Sequence, residues 1–243
     1  MKIFKRWREE GEAFKTALAF FTRLPVKETT FRPEAALTYL PLIGFLLGGI
    51  LFGLEIALRP YWGPEVRALA LLLVQYLGAN YFHFDGLMDT LDALYAGEDR
   101  QRRLEVLKTP EVGALGFLFG FFFLLGEYLL LKILLSEGLS EVLFFKPLFG
   151  RLGLLAGVVF GKPARSEGLG RLFLSREAKR RAGPAFLFLF VFLFWFFGLK
   201  VVVVSGGALM LVFYFTRKFG GLTGDLLGAL CEVSELLFLV LLV

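Results

Sequence analysis

The feature that most constrains this chain is the recurrence of apolar runs about twenty residues long. Carried as an α-helix at about 1.5 Å per residue, such a run matches the roughly 30 Å hydrocarbon core of a bilayer. Runs of this kind fall near residues 37–58, 67–85, 114–135, 142–161, 185–199, 201–216 and 223–243. Hydrophobic residues make up 57% of the 243, with 30 phenylalanines. A soluble domain holds roughly 45–50%. The expected fold is therefore all-α, a polytopic transmembrane helix bundle of about seven spans, within a range of six to eight. The fifth and sixth runs are short, joined through Gly198, Lys200 and the Gly206-Gly207 pair.

Residues 1–23 precede the first run and read as an interfacial amphipathic helix. Ile3, Trp7, Phe14, Leu18 and Phe21 recur at helical spacing, while Lys5, Arg6, Arg8, Glu9, Glu10 and Lys15 take the other positions. An aromatic apolar face with basic flanks suits the headgroup region of a membrane. Pro25 ends that helix, and no cleavable signal segment is evident. The lone Cys231, inside the last run, allows no intramolecular disulfide and reads as a small apolar packer.

Charge sets the orientation. With the N-terminus inside, 21 of the 27 Lys and Arg fall in the interior segments 1–36, 96–109, 162–181 and 217–218, and three (Arg59, Arg67, Lys200) fall outside. That split is a strong positive-inside signal. It places a multi-pass protein in the cell (inner) membrane with its N-terminus cytoplasmic.

Ionisable groups within or bordering the runs then stand out, because each costs several kcal/mol unless paired or functional. The stretch Phe82-His83-Phe84-Asp85-Gly86-Leu87-Met88-Asp89-Thr90-Leu91-Asp92 carries aspartates four and then three residues apart. On a helix this puts the three carboxylates within roughly 60° of one another. Like charges so placed call for a cation, and hard oxygen ligands suit Mg²⁺. The plain alternative is a solvated helix start with acids in its first turns. A second acidic stripe opens the last run: Gly220-Gly221-Leu222-Thr223-Gly224-Asp225, then Gly228, Glu232 and Glu235. Both stripes begin on the same, cytoplasmic face. Two carboxylate-bearing helices meeting there make an oxygen-lined metal site suited to transfer of a phosphorus group from a diphosphate.

Lys146, Arg151 and Arg165 are the bases at hand, and Arg151 and Arg165 are candidates to clamp phosphate. Glu127 reads as a structural acid, paired with Lys132 or set in the bundle. Gly113, Gly116 and the glycines near Asp225 leave room either for a bulky ligand or for close helix packing. His83, the only histidine, is a candidate general base or metal ligand, or simply a hydrogen-bonding partner of a carboxylate.

The order and spacing of these motifs resemble the cobalamin synthase (adenosylcobinamide-GDP ribazoletransferase) family nearly end to end. The resemblance rests on Phe21-Thr22-Arg23-Leu24-Pro25-Val26, on Tyr39-Leu40-Pro41-Leu42-Ile43-Gly44 with Gly48, and on His83 to Asp92. It continues in Ala164-Arg165-Ser166-Glu167-Gly168-Leu169-Gly170 and in Leu222-Thr223-Gly224-Asp225 with Gly228, Ala229, Glu232 and Glu235. Departures occur at Thr109, where an acid is usual, at Glu111, where a base is usual, and at Ala93, where a glycine commonly follows the third aspartate. The first two bear on the role of Lys108.

The resemblance implies a single integral-membrane catalytic domain over 1–243. It implies Mg²⁺-dependent attack by the 5′ oxygen of α-ribazole, or of its 5′-phosphate, on the cobinamide-side phosphorus of adenosylcobinamide-GDP, with GMP leaving. The expected catalytic set is Asp85, Asp89, Asp92, Asp225 and His83. The metal set is Asp85, Asp89, Asp92, Asp225 and Glu232. Substrate contacts fall to Arg151, Arg165, Lys108, Arg23, Thr223 and Gly224. The expected partners are the two substrates and membrane lipid, without nucleic acid.

Two other membrane transferase classes put aspartates around Mg²⁺, but the CDP-alcohol type expects Asp-x-x-Asp-Gly-x-x-Ala-Arg, whereas here Asp89 is followed by Thr90 and no Ala-Arg pair follows. The UbiA prenyltransferase type expects a second Asp-rich motif where this chain has one aspartate and glutamates. A transporter with carboxylates along its path is the non-enzymatic alternative. The acids cluster toward one face, and no internal repeat is visible.

Overall fold

The computed structural model describes residues 2–27, 30–78 and 82–243, the side chains of residues 2–4 and 6 excepted, so Ile3 and Arg6 of the amphipathic pattern lie outside it. The described residues form helices and connecting turns, with one isolated bridge between Pro163 and Leu222. In chain order the helices are α1 (Lys2–Phe21), α2 (Pro33–Ala36), α3 (Leu40–Leu58), α4 (Pro64–Gly78), α5 (Phe82–Tyr95), α6 (Arg100–Val106), α7 (Ala114–Ser136), α8 (Val142–Phe160), α9 (Leu169–Phe173), α10 (Arg176–Phe197), α11 (Leu199–Phe219) and α12 (Gly224–Val240). A 3₁₀ turn, Leu37–Tyr39, runs α2 into α3.

Five of these are long and apolar enough to cross a membrane: Pro33–Leu58, Ala114–Ser136, Val142–Phe160, Arg176–Phe197 and Leu199–Phe219. They account for the expected runs at 37–58, 114–135, 142–161, 185–199 and 201–216. Over the expected run at 67–85 the described residues form α4 and α5, of 15 and 14 residues, with 79–81 outside the described residues. The last run is the 17-residue α12.

Burial ranks the helices. In the apolar stretch of α8, 83% is buried, against 22–39% in the other four crossing helices. α8 is thus the axle, with α3, α10, α11 and α12 packed around it. The outer faces of α7, α10 and α11 expose Phe117, Phe121, Phe122, Trp195, Met210 and Phe213. Such an apolar periphery is what lipid rather than water covers. α1 lies against α2 and α3, burying Ala13, Thr16, Ala17 and Phe21 while Trp7 faces outward.

The contact that fixes the site is the crossing of α5 over α12. A Cβ on Gly86 would lie 2.8 Å from the Asp225 backbone, and one on Gly228 would lie 3.0 Å from the His83 backbone. Residue numbers rise along one helix as they fall along the other, so the pair is antiparallel and in backbone contact. The glycines therefore serve helix packing, and they carry Asp225 up to the α5 aspartates. Gly86→Ala is expected to separate the two helices, because backbone atoms cannot rotate away. Overpacking of this kind costs about 1–3 kcal/mol. Thermal unfolding of the purified variant in lipid, beside its turnover, checks both consequences.

Candidate active site

The loop before α12 is built from its sequence outward. Gly220 ends α11 at φ +79°, a left-handed conformation that glycine adopts freely. Leu222 then exchanges backbone hydrogen bonds with the 162–164 strand-like segment (Leu222 N–H to Lys162 O, 2.7 Å; Ala164 N–H to Leu222 O, 2.9 Å). Thr223 caps α12 by accepting the Leu226 N–H, and its hydroxyl donates to Asp225 Oδ2 at 3.1 Å. Asp225 is thereby held in the first turn of α12, where the helix dipole favours an anion. The loop 162–168 brings Arg165 close enough for its charge to act on Asp225.

Asp85 is exposed, while Asp89, Asp92 and Asp225 are partly buried. Burial, followed by the charges of Asp85, Asp225 and Asp92, pushes the Asp89 carboxyl up to about 7. The two acidic stripes thus meet in one electrostatic unit. Among the described residues, no three of these four aspartates bring oxygens within 4.8 Å of one another.

The sign of the Asp89 shift gives a testable pH dependence. An unfolded aspartate titrates near about 3.9, so between there and about 7 the folded chain binds more protons than the unfolded one. The stabilising contribution of this group is complete below the lower value and lost as pH rises through the upper one. In chelator, the unfolding midpoint is expected to fall across that window and then level off. Asp89→Asn should flatten the slope, and a divalent ion should stabilise wild type most above pH 7.

Asp92 has a second engagement. Its two oxygens accept the backbone N–H groups of Gly113 and Gly116, each at 2.7 Å, pinning the N-terminus of α7. A Cβ at either glycine would lie within 2.5 Å of that carboxylate. Gly113 and Gly116 thus make room for Asp92, not for a bulky ligand.

Glu232 lies elsewhere. It faces His83 and Cys231, the three offering ligand atoms within 4.8 Å of one another, and Tyr76, whose hydroxyl is 2.9 Å away. Below it runs a buried ion network. Lys146 is fully buried against Glu127 and Glu235, and also donates to Gln75 at 2.7 Å. Arg151 donates to Glu235 at 2.9 Å and to the Pro147 carbonyl. Glu127 therefore pairs with Lys146, and Lys132 pairs with Glu65 at 3.3 Å, which corrects the expected Glu127–Lys132 pair. Arg151 and Glu232 line a deeper cavity of about 110 Å³ with His83, Glu235 and Gln75.

A larger cavity of about 330 Å³ opens beside the aspartates. His83, Asp85, Arg165, Thr223, Gly224 and Asp225 line it, together with a group of phenylalanines. The Nε2 atom of His83 is buried and has no hydrogen-bond partner among the described residues. A polar cavity of about 550 Å³ adjoins it across Arg165 and holds Lys108. Arg23 is exposed, its backbone N–H bonded to the Gly78 carbonyl.

Fold and site together define a multi-pass helical membrane protein with an acidic, ligand-sized cavity between its helices. The family model for cobalamin-5-phosphate synthase matches residues 13–243, and the chain belongs to that family. Among its relatives, adenosylcobinamide-GDP ribazoletransferase of Desulfitobacterium hafniense (strain Y51) is 35% identical over 92% of this chain and 93% of its own length. Proteins of the same name from Thermoanaerobacter pseudethanolicus and Clostridium botulinum (strain Okra / Type B1) are 31% and 30% identical, over 96% and 94% of this chain and 97% and 96% of theirs. No solved structure matches the chain. Membership makes the chain a transferase of cobalamin biosynthesis, and sets aside the CDP-alcohol, prenyltransferase and transporter alternatives.

Proposed function

We propose that the chain transfers the adenosylcobinamide phosphate group from adenosylcobinamide-GDP to α-ribazole or its 5′-phosphate, yielding adenosylcobalamin or its 5′-phosphate and GMP. It does so as a multi-pass protein of the cell (inner) membrane, with its N-terminus and active site on the cytoplasmic side. The names of the relatives support the reaction, and the 21-to-3 distribution of basic residues supports the orientation. The observation that carries the site is the α5–α12 crossing, which sets Asp225 against Gly86 and so beside Asp85 and Asp89.

The donor set suits Mg²⁺: hard carboxylate oxygens, with Asp89 drawn toward protonation by its neighbours. Asp85, Asp89 and Asp225 would hold the ion, which when bound neutralises charge on the diphosphate. Thr223 orients Asp225, and Asp92 anchors α7 behind Asp89. Arg165 binds phosphate oxygens from the wall between the two larger cavities, with Lys108 beyond it. A bond forms between an acceptor hydroxyl and the cobinamide-side phosphorus, and the bond from that phosphorus to GMP breaks. His83, which lines the cavity and whose Nε2 has no hydrogen-bond partner among the described residues, takes the hydroxyl proton. Chemical balance corrects one expectation: an acceptor that keeps its 5′-phosphate in the product attacks through another ribose hydroxyl.

Purified protein in lipid, given adenosylcobinamide-GDP, α-ribazole and Mg²⁺, is expected to release GMP and form cobalamin. Absence of GMP, with uptake of either compound into liposomes, would replace the enzyme with a transporter.

A further inference from the structure

Four phenylalanines from three separate stretches converge on one wall of the 330 Å³ cavity: Phe20 and Phe21 at the end of α1, Phe82 at the start of α5, and Phe173 at the end of α9. Their ring centroids lie 5.1 Å (Phe20–Phe82), 5.2 Å (Phe20–Phe173), 6.2 Å (Phe21–Phe173) and 6.3 Å (Phe21–Phe82) apart. Unlike the many phenylalanines on the outer faces of α7 and α10, these rings bound an internal space. Asp85, Thr223, Asp225 and Arg165 line the same cavity. One space thus offers aromatic rings together with the acidic site.

We infer that this cavity is the acceptor's site: the phenylalanine wall holds the flat, apolar aromatic base of a nucleoside and turns its sugar toward Asp85 and Asp225. The assignment rests on the proposed reaction for the identity of that nucleoside. Size and polarity decide which substrate enters. A volume of 330 Å³ is at the small end of the roughly 300–1,000 Å³ of ligand pockets, enough for a nucleoside and far too small for a corrin ring. Guanine carries polar edges that the phenyl wall cannot pair, and leaving them dry is costly. The 550 Å³ cavity beyond Arg165 is polar, with Lys108, Gln101 and Ser166 beside Glu105 and Glu167, and Arg100 held on the Phe219 and Ala164 carbonyls. It offers cations for phosphate and both donors and acceptors for the edges of guanine. The donor's nucleotide therefore sits in the polar cavity and the acceptor's base in the aromatic one. Arg165 lines both cavities, and Asp85 and Asp225 line the aromatic one, so the reacting phosphorus belongs beside Arg165 on the aspartate side.

The test is equilibrium binding of α-ribazole and, separately, of GMP to the full chain in lipid nanodiscs. Phe173→Leu and Phe82→Leu keep apolar volume and remove the ring. Each is expected to weaken α-ribazole binding about 10-fold, the scale of one base–aromatic stack, and to leave GMP within about twofold. Lys108→Ala is expected to do the reverse. Phe20→Leu replaces either phenylalanine variant that lacks a wild-type unfolding midpoint. Phenylalanine variants that weaken GMP equally, or that leave α-ribazole binding intact, would overturn the assignment, as would a wild type that binds no α-ribazole. A wild type that binds α-ribazole in this way but releases no GMP from the donor removes the proposed reaction and leaves the cavity assignment standing.

Discussion

Asp225→Asn is expected to lower GMP release by at least about 10²- to 10³-fold, the scale of removing one fixed electrostatic contact to a reacting group, with no loss of fold. Asparagine keeps the shape of the side chain and can still bond Thr223, so the α12 cap survives. What disappears is one charge of the acidic unit that spans α5 and α12. Asp89, raised in part by Asp225, is relieved by the change. The metal-free unfolding midpoint should therefore hold or rise as activity falls. Asp89→Asn is expected to behave in the same way. Activity and stability moving in opposite directions distinguish a functional acid from a structural one, and turnover with thermal unfolding on the same preparations reads both. Full turnover by either variant would remove the acidic unit from the chemistry.

The opposite pattern is expected at Lys146. Lys146→Met keeps most of the volume at a position with no exposure, but strips the cation from Glu127 and Glu235 together. Breaking a buried pair by removing one partner costs about 3–5 kcal/mol, because the other charge is left uncompensated. Glu235 keeps Arg151 and Gln75, whereas Glu127 keeps, among the described residues, the Tyr76 hydroxyl at 2.8 Å. Adding Glu127→Gln to Lys146→Met is thus expected to recover a large part of the loss. Chemical unfolding of wild type and the two variants in lipid measures the difference. A loss below about 1 kcal/mol would show the network to be solvated, as exposed pairs are.

The two patterns mark where sequence reasoning reaches and where it stops. The long apolar runs were legible because hydropathy over a bilayer's length is a local property, and five of them are helices long and apolar enough to cross. Over 67–85 the described residues are helical as hydropathy suggests, in α4 and α5. The Asp85/Asp89/Asp92 stripe was legible from helical spacing, and its meeting with Asp225 from the two motifs lying on one face. The parting of Asp92 toward α7 was not legible, since it depends on where Gly113 and Gly116 arrive. Spacing suggested Glu127 with Lys132, five residues on, but the fold pairs it with Lys146 on the next helix. Charges in apolar runs drew attention to Arg151 and Glu232, and the fold sets both around the deeper cavity: Arg151 donates to Glu235, and Glu232 faces His83 and Tyr76. The phenylalanine wall had no signal at all: four rings among 30 carry no pattern, and only the fold of α1, α5 and α9 brings them together.

The central claim is that carboxylates from α5 and α12 jointly hold a divalent ion at the diphosphate site. Mn²⁺ as a paramagnetic stand-in for Mg²⁺ reads this directly, by titration of the full chain in nanodiscs in an electron paramagnetic resonance spectrometer, with and without adenosylcobinamide-GDP. The account predicts Mn²⁺ binding that the donor strengthens, that Mg²⁺ displaces, and that both Asp89→Asn and Asp225→Asn weaken by at least about tenfold, an affinity loss of about 1.4 kcal/mol. Binding unchanged in Asp225→Asn, or lost only in Glu232→Gln, would contradict it.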